Sequence, residues 1–332
     1  MSKWMKIIYA WIVFSGIATT WCQDFPPIRL ADRLLIHEAM KLKEAIGDSI
    51  WPGWSQTPFT LLLVTEQHEY LVRHPAPSKD FVRLGYDSLL ATDVYVRART
   101  YSKEFLATFP AVSGVQTIVV GTPEQTGKSS MAWVVTLLHE HFHQYQYTHS
   151  DYYPRVGQLN LSGGDQSGMW MLNYPFPYNE KQTQILFDDF LKWEAMAVKS
   201  SGFLEKYLSA KKRLQCGLSS RDYRYLNFQL WQEGLARYTE ICVAEFAARH
   251  RFASTEMSGL PDFRPYEQVA GDLRSSVLNG LRDVQSQKRI VFYSVGAAEG
   301  LLLDASGRSW RDKYFDAFAD TDRLFEYTGQ VK

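Results

Sequence analysis

The chain has 332 residues, with 36 basic and 36 acidic side chains, so no net field draws it to nucleic acid or an anionic membrane. Aromatic residues make up 14% of it, which suits a folded globule and argues against disorder. A chain of this length can bury a large core, as one big domain or as two lobes.

Residues 1–18 read as a secretory leader. Lys3 and Lys6 form its basic start, Ile7 to Ala18 is an apolar run broken only by Ser15 and Gly16, and Gly16 and Ala18 suit cleavage after Ala18. The run is too short to span a bilayer comfortably, so a secreted or periplasmic protein with no integral membrane domain is expected. Lipid attachment at Cys22 is disfavoured, because the bulky Trp21 sits beside the acceptor. In an oxidising compartment Cys216 and Cys242 are available to pair, with Cys22 left over. No C-x-x-C spacing exists, so zinc ligation by thiolate is not expected. Asn160-Leu161-Ser162 forms a glycosylation sequon.

From Ile28 to Ile46, Leu30, Leu34, Leu35, Ala39, Leu42 and Ile46 recur at helical spacing, and Gly47 stops the helix. Pro52, Gly53 and Pro58 then break the chain before the apolar run Phe59 to Val64, which reads as a buried strand. Residues 69–73 and 93–97 read as further strands, and Val115 to Val120 is the clearest one. The segment Gly121 to Ser129, GTPEQTGKS, imitates a phosphate-binding loop. Five residues separate its glycines where that loop has four, so the amides would not converge on one phosphate.

The chemistry begins at residues 134–147, VVTLLHEHFHQYQY, which contain His139, Glu140 and His143 as H-E-x-x-H. Residues four apart share one helix face, so both imidazoles can aim at a single ion. Zinc accepts imidazole nitrogen at about 2.0–2.1 Å, and Glu140, about 100° around the helix, can reach a water at the ion without ligating it. The apolar run Met131 to Leu138 predicts a mostly buried helix, with Ser129 and Ser130 as candidate N-caps. His141 and His149 read as bystanders.

Asp151 to Glu180 is a long irregular stretch rich in aromatics, equally consistent with a cleft wall or lid and with a packed surface loop. Residues 181–214 are helical in pattern and end in Lys211, Lys212 and Arg213, which complement the helix dipole without any ligand. Residues 226–249 read as one long amphipathic helix, in which Glu233 lies beside Gly234 and Ala236. A two-histidine zinc site requires another protein ligand and leaves a fourth position for water. Glu233 is the choice, with small neighbours that admit another helix; Glu194 is the rival, and Glu240 is a candidate to support the ligands from the same face. Helices are expected again over 267–287, 289–303 and 309–328, with Gly296, Ala297 and Ala298 permitting tight packing. Tyr293 or Tyr223 is placed as a hydrogen-bond donor to the oxyanion formed when water adds to a carbonyl.

His139-Glu140-x-x-His143 followed by Glu233-Gly234-Leu235-Ala236 resembles the gluzincin group of zinc metallopeptidases, with thermolysin-like topology. The resemblance covers roughly residues 115–300, and the preceding hundred residues match by layout only. It implies an α+β, zincin-like fold: a small N-terminal mixed sheet with helices, then a mainly helical C-terminal lobe. The boundaries are a leader over 1–18, an N-terminal lobe with the metal helix over 24–150, and a C-terminal lobe over 151–332 supplying the third ligand. It further implies zinc on His139, His143 and Glu233, Glu140 as general base, a peptide or protein substrate, and Val115 to Val120 as an edge strand along which an extended peptide lies. Some members carry an acidic residue four positions after the ligand glutamate, where this chain has Arg237. Two other readings are a zinc-binding zincin-fold protein that is a non-peptidase hydrolase or a binding protein, and a metal-free helical module gripping a ligand with the aromatic stretch 151–180.

Overall fold

A computed structural model describes residues 25–329, so the leader over 1–18 and Cys22 lie outside the described residues. The first helix, α1 (Leu30–Ile46), buries Leu35, Ile36, Ala39, Leu42 and Ile46 along one face and ends at Gly47, whose φ of 52° favours glycine.

Six strands follow: β1 (Leu61–Val64), β2 (His68–Val72), β3 (Val82–Asp87), β4 (Thr92–Ala98), β5 (Leu106–Val112) and β6 (Val115–Gly121). They form one mixed sheet in the order β3-β4-β2-β1-β6-β5, in which only β1 and β6 run parallel. The order corrects one expectation. Val115 to Val120 is interior, held between β1 and β5, and the edge nearest the metal helix is β5. Ile118, Val119 and Val120 are fully buried, as a strand paired on both sides requires, whereas β5 is half-exposed and carries Pro110, which has no N–H to donate. The β5–β6 register shifts between Phe109 and Val112, around that proline. β3 and β5 are absent from the sequence reading because Gly85 and Pro110 interrupt their patterns.

The H-E-x-x-H helix α2 (Ser130–Thr148) comes next, then α3 (Tyr152–Gln158), α4 (Trp170–Asn173), α5 (Lys181–Lys199), α6 (Leu204–Gly217) and α7 (Ser220–Gln229). A π-helical turn, Leu230–Gly234, leads into α8 (Leu235–Arg249). The remainder comprises α9 (Thr255–Ser258), α10 (Tyr266–Gly280), α11 (Val284–Gln287), α12 (Val291–Ala305) and α13 (Thr321–Tyr327). The architecture is α+β and mostly helical. Four expected helices are interrupted: 181–214 breaks at the turn Ser201–Phe203, 226–249 at the π-turn, 267–287 between α10 and α11, where Asp283 has a φ of 46°, and 309–328 keeps only α13 and the short turn Arg311–Lys313.

Helix α2 packs against α1, β5, β6 and α8. Its side chains also pin it to the sheet: Trp133 Nε1 donates to Gly121 O (2.8 Å), and Gln144 Nε2 to Thr60 O and Gln116 O (2.9 Å each). Neither Ser129 nor Ser130 caps it. Asp262 does so from a distant loop, accepting from Ser130 N (2.6 Å) and Oγ (2.7 Å) and placing negative charge at the positive helix end. The main apolar core runs from α1 across one sheet face to the C-terminal helices, and a smaller cluster around Leu62, Val64, Phe81 and Val119 covers the other face.

Cys216 and Cys242, available to pair by their sequence context, are both free. Cys216 sits exposed near the end of α6, while Cys242 lies in α8, its thiol pushed up to about 12 chiefly by burial. Among the described residues no helix is long and apolar enough to cross a membrane.

Candidate metal centre

His139 and His143, one helical turn apart on α2, turn their Nε2 atoms toward each other at 3.2 Å. Glu233 Oε2 lies 3.5 Å from His143 Nε2, and one ligand atom from each residue falls within 4.8 Å of the others. These three residues can hold a metal ion. Bonds of about 2.0–2.1 Å at tetrahedral angles put neighbouring ligand atoms roughly 3.3–3.4 Å apart; the two separations at His143, 3.2 and 3.5 Å, bracket that value, and the third pair, His139 and Glu233, lies within 4.8 Å. Two buried imidazole nitrogens and a carboxylate crowded together have no low-cost arrangement without a proton or a cation between them.

The π-turn carries Glu233 to this point. A Cβ on Gly234 would sit 2.4 Å from Gly296 Cα, and one on Gly296 2.6 Å from Leu230 O, so α12 crosses the turn backbone to backbone. The helix admitted by Gly234 is therefore α12, not the metal helix. The extra residue in a π-turn rotates the side chains that follow it, and such turns recur at functional sites.

Each imidazole is oriented from behind. His143 Nδ1 donates to Gln146 Oε1 (2.6 Å), and Gln146 Nε2 donates to Gln232 O (2.9 Å) in the π-turn and to Tyr314 Oη (2.6 Å). His139 Nδ1 lies 2.8 Å from Glu240 Oε1, at too oblique an angle for a straight hydrogen bond, so that contact is mainly electrostatic. Arg237 Nη1 in turn donates to Glu240 Oε2 (2.5 Å). Support for the first histidine thus comes from Glu240, which Arg237 in turn fixes. Burial opposes ionisation of Glu240, but Arg237 and His139 hold it down at about 2.

Charges at the site interlock. Burial disfavours a charged His143, but Glu233 beside it prevails and raises its pKa to about 9. Burial likewise acts against ionised Glu233, and His143 overrides it, bringing Glu233 to about 2. Glu140, on the same helix, is buried, and Thr108 Oγ1 of the edge strand β5 lies 2.9 Å from its Oε2 and from its backbone oxygen. The Tyr293 ring stacks on His139 with centroids 6.4 Å apart, and its hydroxyl accepts from Arg289 Nη1 (3.1 Å).

Other sequence candidates lie elsewhere. Glu194 is fully buried beside Glu299 and Lys211, neither of its oxygens hydrogen-bonded, and burial first and Glu299 second push its carboxyl well above the usual range. It does not join the metal group. Tyr223 donates to Asp322 Oδ2 (2.7 Å), away from the histidines. His141 packs between Trp54 and Phe59, contacts Thr57 O at 3.2 Å and is driven to about 3 by burial, while His149 stacks on Phe315. In the 151–180 stretch most aromatics are packed, as with Trp170 on Phe228, but Tyr153 stacks on Tyr147, which itself stacks on His143. Gln146, Thr108 and Arg289 went unread in the sequence. Only Gln146, three residues after His143 and so on its face, left a signal there.

Compared with protein-family models, curated proteins and solved structures, the chain matches none of them.

Proposed function

We propose that this protein is an exported, zinc-dependent metallopeptidase. The observation that carries the reading is the convergence of His139, His143 and Glu233 from two distant stretches, with Glu140 on the turn between the two histidines. Two imidazoles and one carboxylate are a donor set that suits zinc and leaves room for a water or substrate oxygen. Zinc bound there supplies Lewis acidity, lowering the pKa of water to about 7 and polarising a carbonyl.

The chain's own residues supply the rest. Glu140 takes the proton from the attacking water and delivers it to the leaving amine, so water oxygen becomes bonded to the carbonyl carbon as the C–N bond breaks. Thr108 holds one carboxylate oxygen of Glu140 and leaves the other for that proton. Tyr293 is aligned against His139 by stacking and by Arg289, and donates its hydroxyl proton as a hydrogen bond to the developing oxyanion. The open edge of β5 beside Glu140 offers backbone N–H and C=O groups to an extended peptide, in place of the interior Val115 to Val120.

Glu140→Gln keeps the side chain's size and removes its basicity. The variant should retain stoichiometric zinc and lose peptide hydrolysis by at least about 10²-fold. A variant that digests a peptide library as fast as the parent would contradict the assignment, and zinc without cleavage in the parent would favour a zincin-fold protein with another role.

A further inference from the structure

Arg289 occupies the turn Lys288–Ile290 just ahead of α12 and lies beside Glu233. Its Nη1 donates to Gln229 Oε1 (3.3 Å) and Tyr293 Oη (3.1 Å) and lies 3.8 Å from Glu233 Oε1. Its Nε and Nη2 have no hydrogen-bond partner among the described residues, and the side chain keeps 18% exposure, which leaves these donors free for a ligand.

A tether for Glu233 would look different. Arg29 grips Asp32 through Nε and Nη2 at 2.7 Å each, whereas Arg289 reaches Glu233 through one nitrogen at a distance beyond hydrogen bonding. Glu233 is also the one carboxylate within ion-pair distance of Arg289 among the described residues. Once Glu233 faces a divalent cation shared with His139 and His143, its charge is committed there, and a half-buried guanidinium is left without a counter-ion. The remaining neighbours are neutral: burial pushes the Tyr178 and Tyr225 hydroxyls up and the charge of Arg289 opposes it, which puts both in its field beside Tyr293. A positive planar fork with phenolic hydroxyls around it suits a planar anion, and a carboxylate fits that fork in bidentate fashion.

We propose that Arg289 binds the terminal carboxylate of the substrate, so that the enzyme acts at the C-terminal end of peptides. The inference rests on the metallopeptidase reading for its substrate, and on the Arg289 geometry for its anchor.

The test is calorimetric binding of N-acetylphenylalanine and its amide to the zinc-loaded full chain. The acid should bind at least about tenfold more tightly than the amide, and Arg289→Gln should abolish most of that preference. Arg289→Lys, which keeps the charge and loses the fork, should retain part of it, and Tyr178→Phe, which keeps the ring against Phe292, should weaken it a few-fold. If Arg289→Gln fails to fold, these two milder variants decide the question. Equal binding of acid and amide overturns the proposal. So does an acid preference that stays undiminished in zinc-loaded Arg289→Gln or, if that variant does not fold, in both milder variants, because the carboxylate then sits on the metal alone.

Digestion of one peptide with a free and with an amidated C-terminus separates this inference from the function beneath it. Cleavage of both at the same internal bonds keeps the peptidase and removes the anchor. No cleavage of either, together with Arg289-dependent acid binding, removes the peptidase and keeps the anchor.

Discussion

The two histidines differ in what lies behind them. His139 backs onto a carboxylate, Glu240, whereas His143 backs onto an amide, Gln146, which also grips the turn carrying Glu233. Gln146→Ala leaves His143 Nδ1 and Gln232 O without that partner, and zinc affinity should fall by about 10–100-fold. Competition with a chromogenic chelator measures this, and unchanged affinity would mean that Gln146 does not orient the ligand. Protonation belongs to the same scale. With the His143 pKa raised to about 9, the metal-free protein holds a proton there that a metal must displace, while Glu233 at about 2 is already ionised. Metal affinity should therefore climb about tenfold per pH unit from His143 as pH rises toward about 9, and flatten above it. Titrations in buffers of different ionisation enthalpy count the proton released near pH 7, and zero release would refute the pairing.

At the scale of elements, the π-turn and α12 decide whether a third ligand exists. Gly296→Ala would drive a Cβ to 2.5 Å from Gly234 Cα, and backbone on both sides gives little room to yield. The expected cost is about 1–3 kcal/mol or more of stability, with a loss of zinc affinity as Glu233 is displaced. Denaturant unfolding and metal content of the purified variant check both parts, and a variant matching the parent would show that the helices separate freely. This element was only half legible in the sequence. Small residues at 234 and 296–298 signalled close helix packing, but the break in helical spacing did not, because α7, the π-turn and α8 share one continuous apolar pattern. The edge strand was illegible for a related reason: Pro110 disqualifies an interior strand and is tolerated at an edge, and periodicity carries no information on which is present.

For the whole molecule, α2 belongs to the layer packed on the sheet, and Glu233 to the helices that follow. A metal held by both joins parts of the chain that only the folded state brings together, so its binding energy adds to folding energy. Free zinc at 100 times its dissociation constant should stabilise the protein by about 2.7 kcal/mol, and chelation should remove that increment. Scanning calorimetry with and without chelator measures it, and Glu233→Gln should shrink the difference. Identical midpoints in the parent would contradict a ligand set drawn from both parts.

The sequence by itself determined the helix α2 and the pair of histidines on one of its faces, because H-E-x-x-H acts within one turn and local spacing suffices to aim both imidazoles the same way. It also marked Glu233, from its small neighbours, and Glu240, from the same helix face, while the central strands and most helices follow from local apolar periodicity. Tertiary structure alone decided that Glu233 and not Glu194 faces the histidines, that β5 and not β6 is the edge, that Asp262 caps the metal helix, and that Cys216 and Cys242 stay apart. Each of those depends on which surfaces meet across long stretches of chain, and a one-dimensional pattern records which faces are apolar without recording what they pack against.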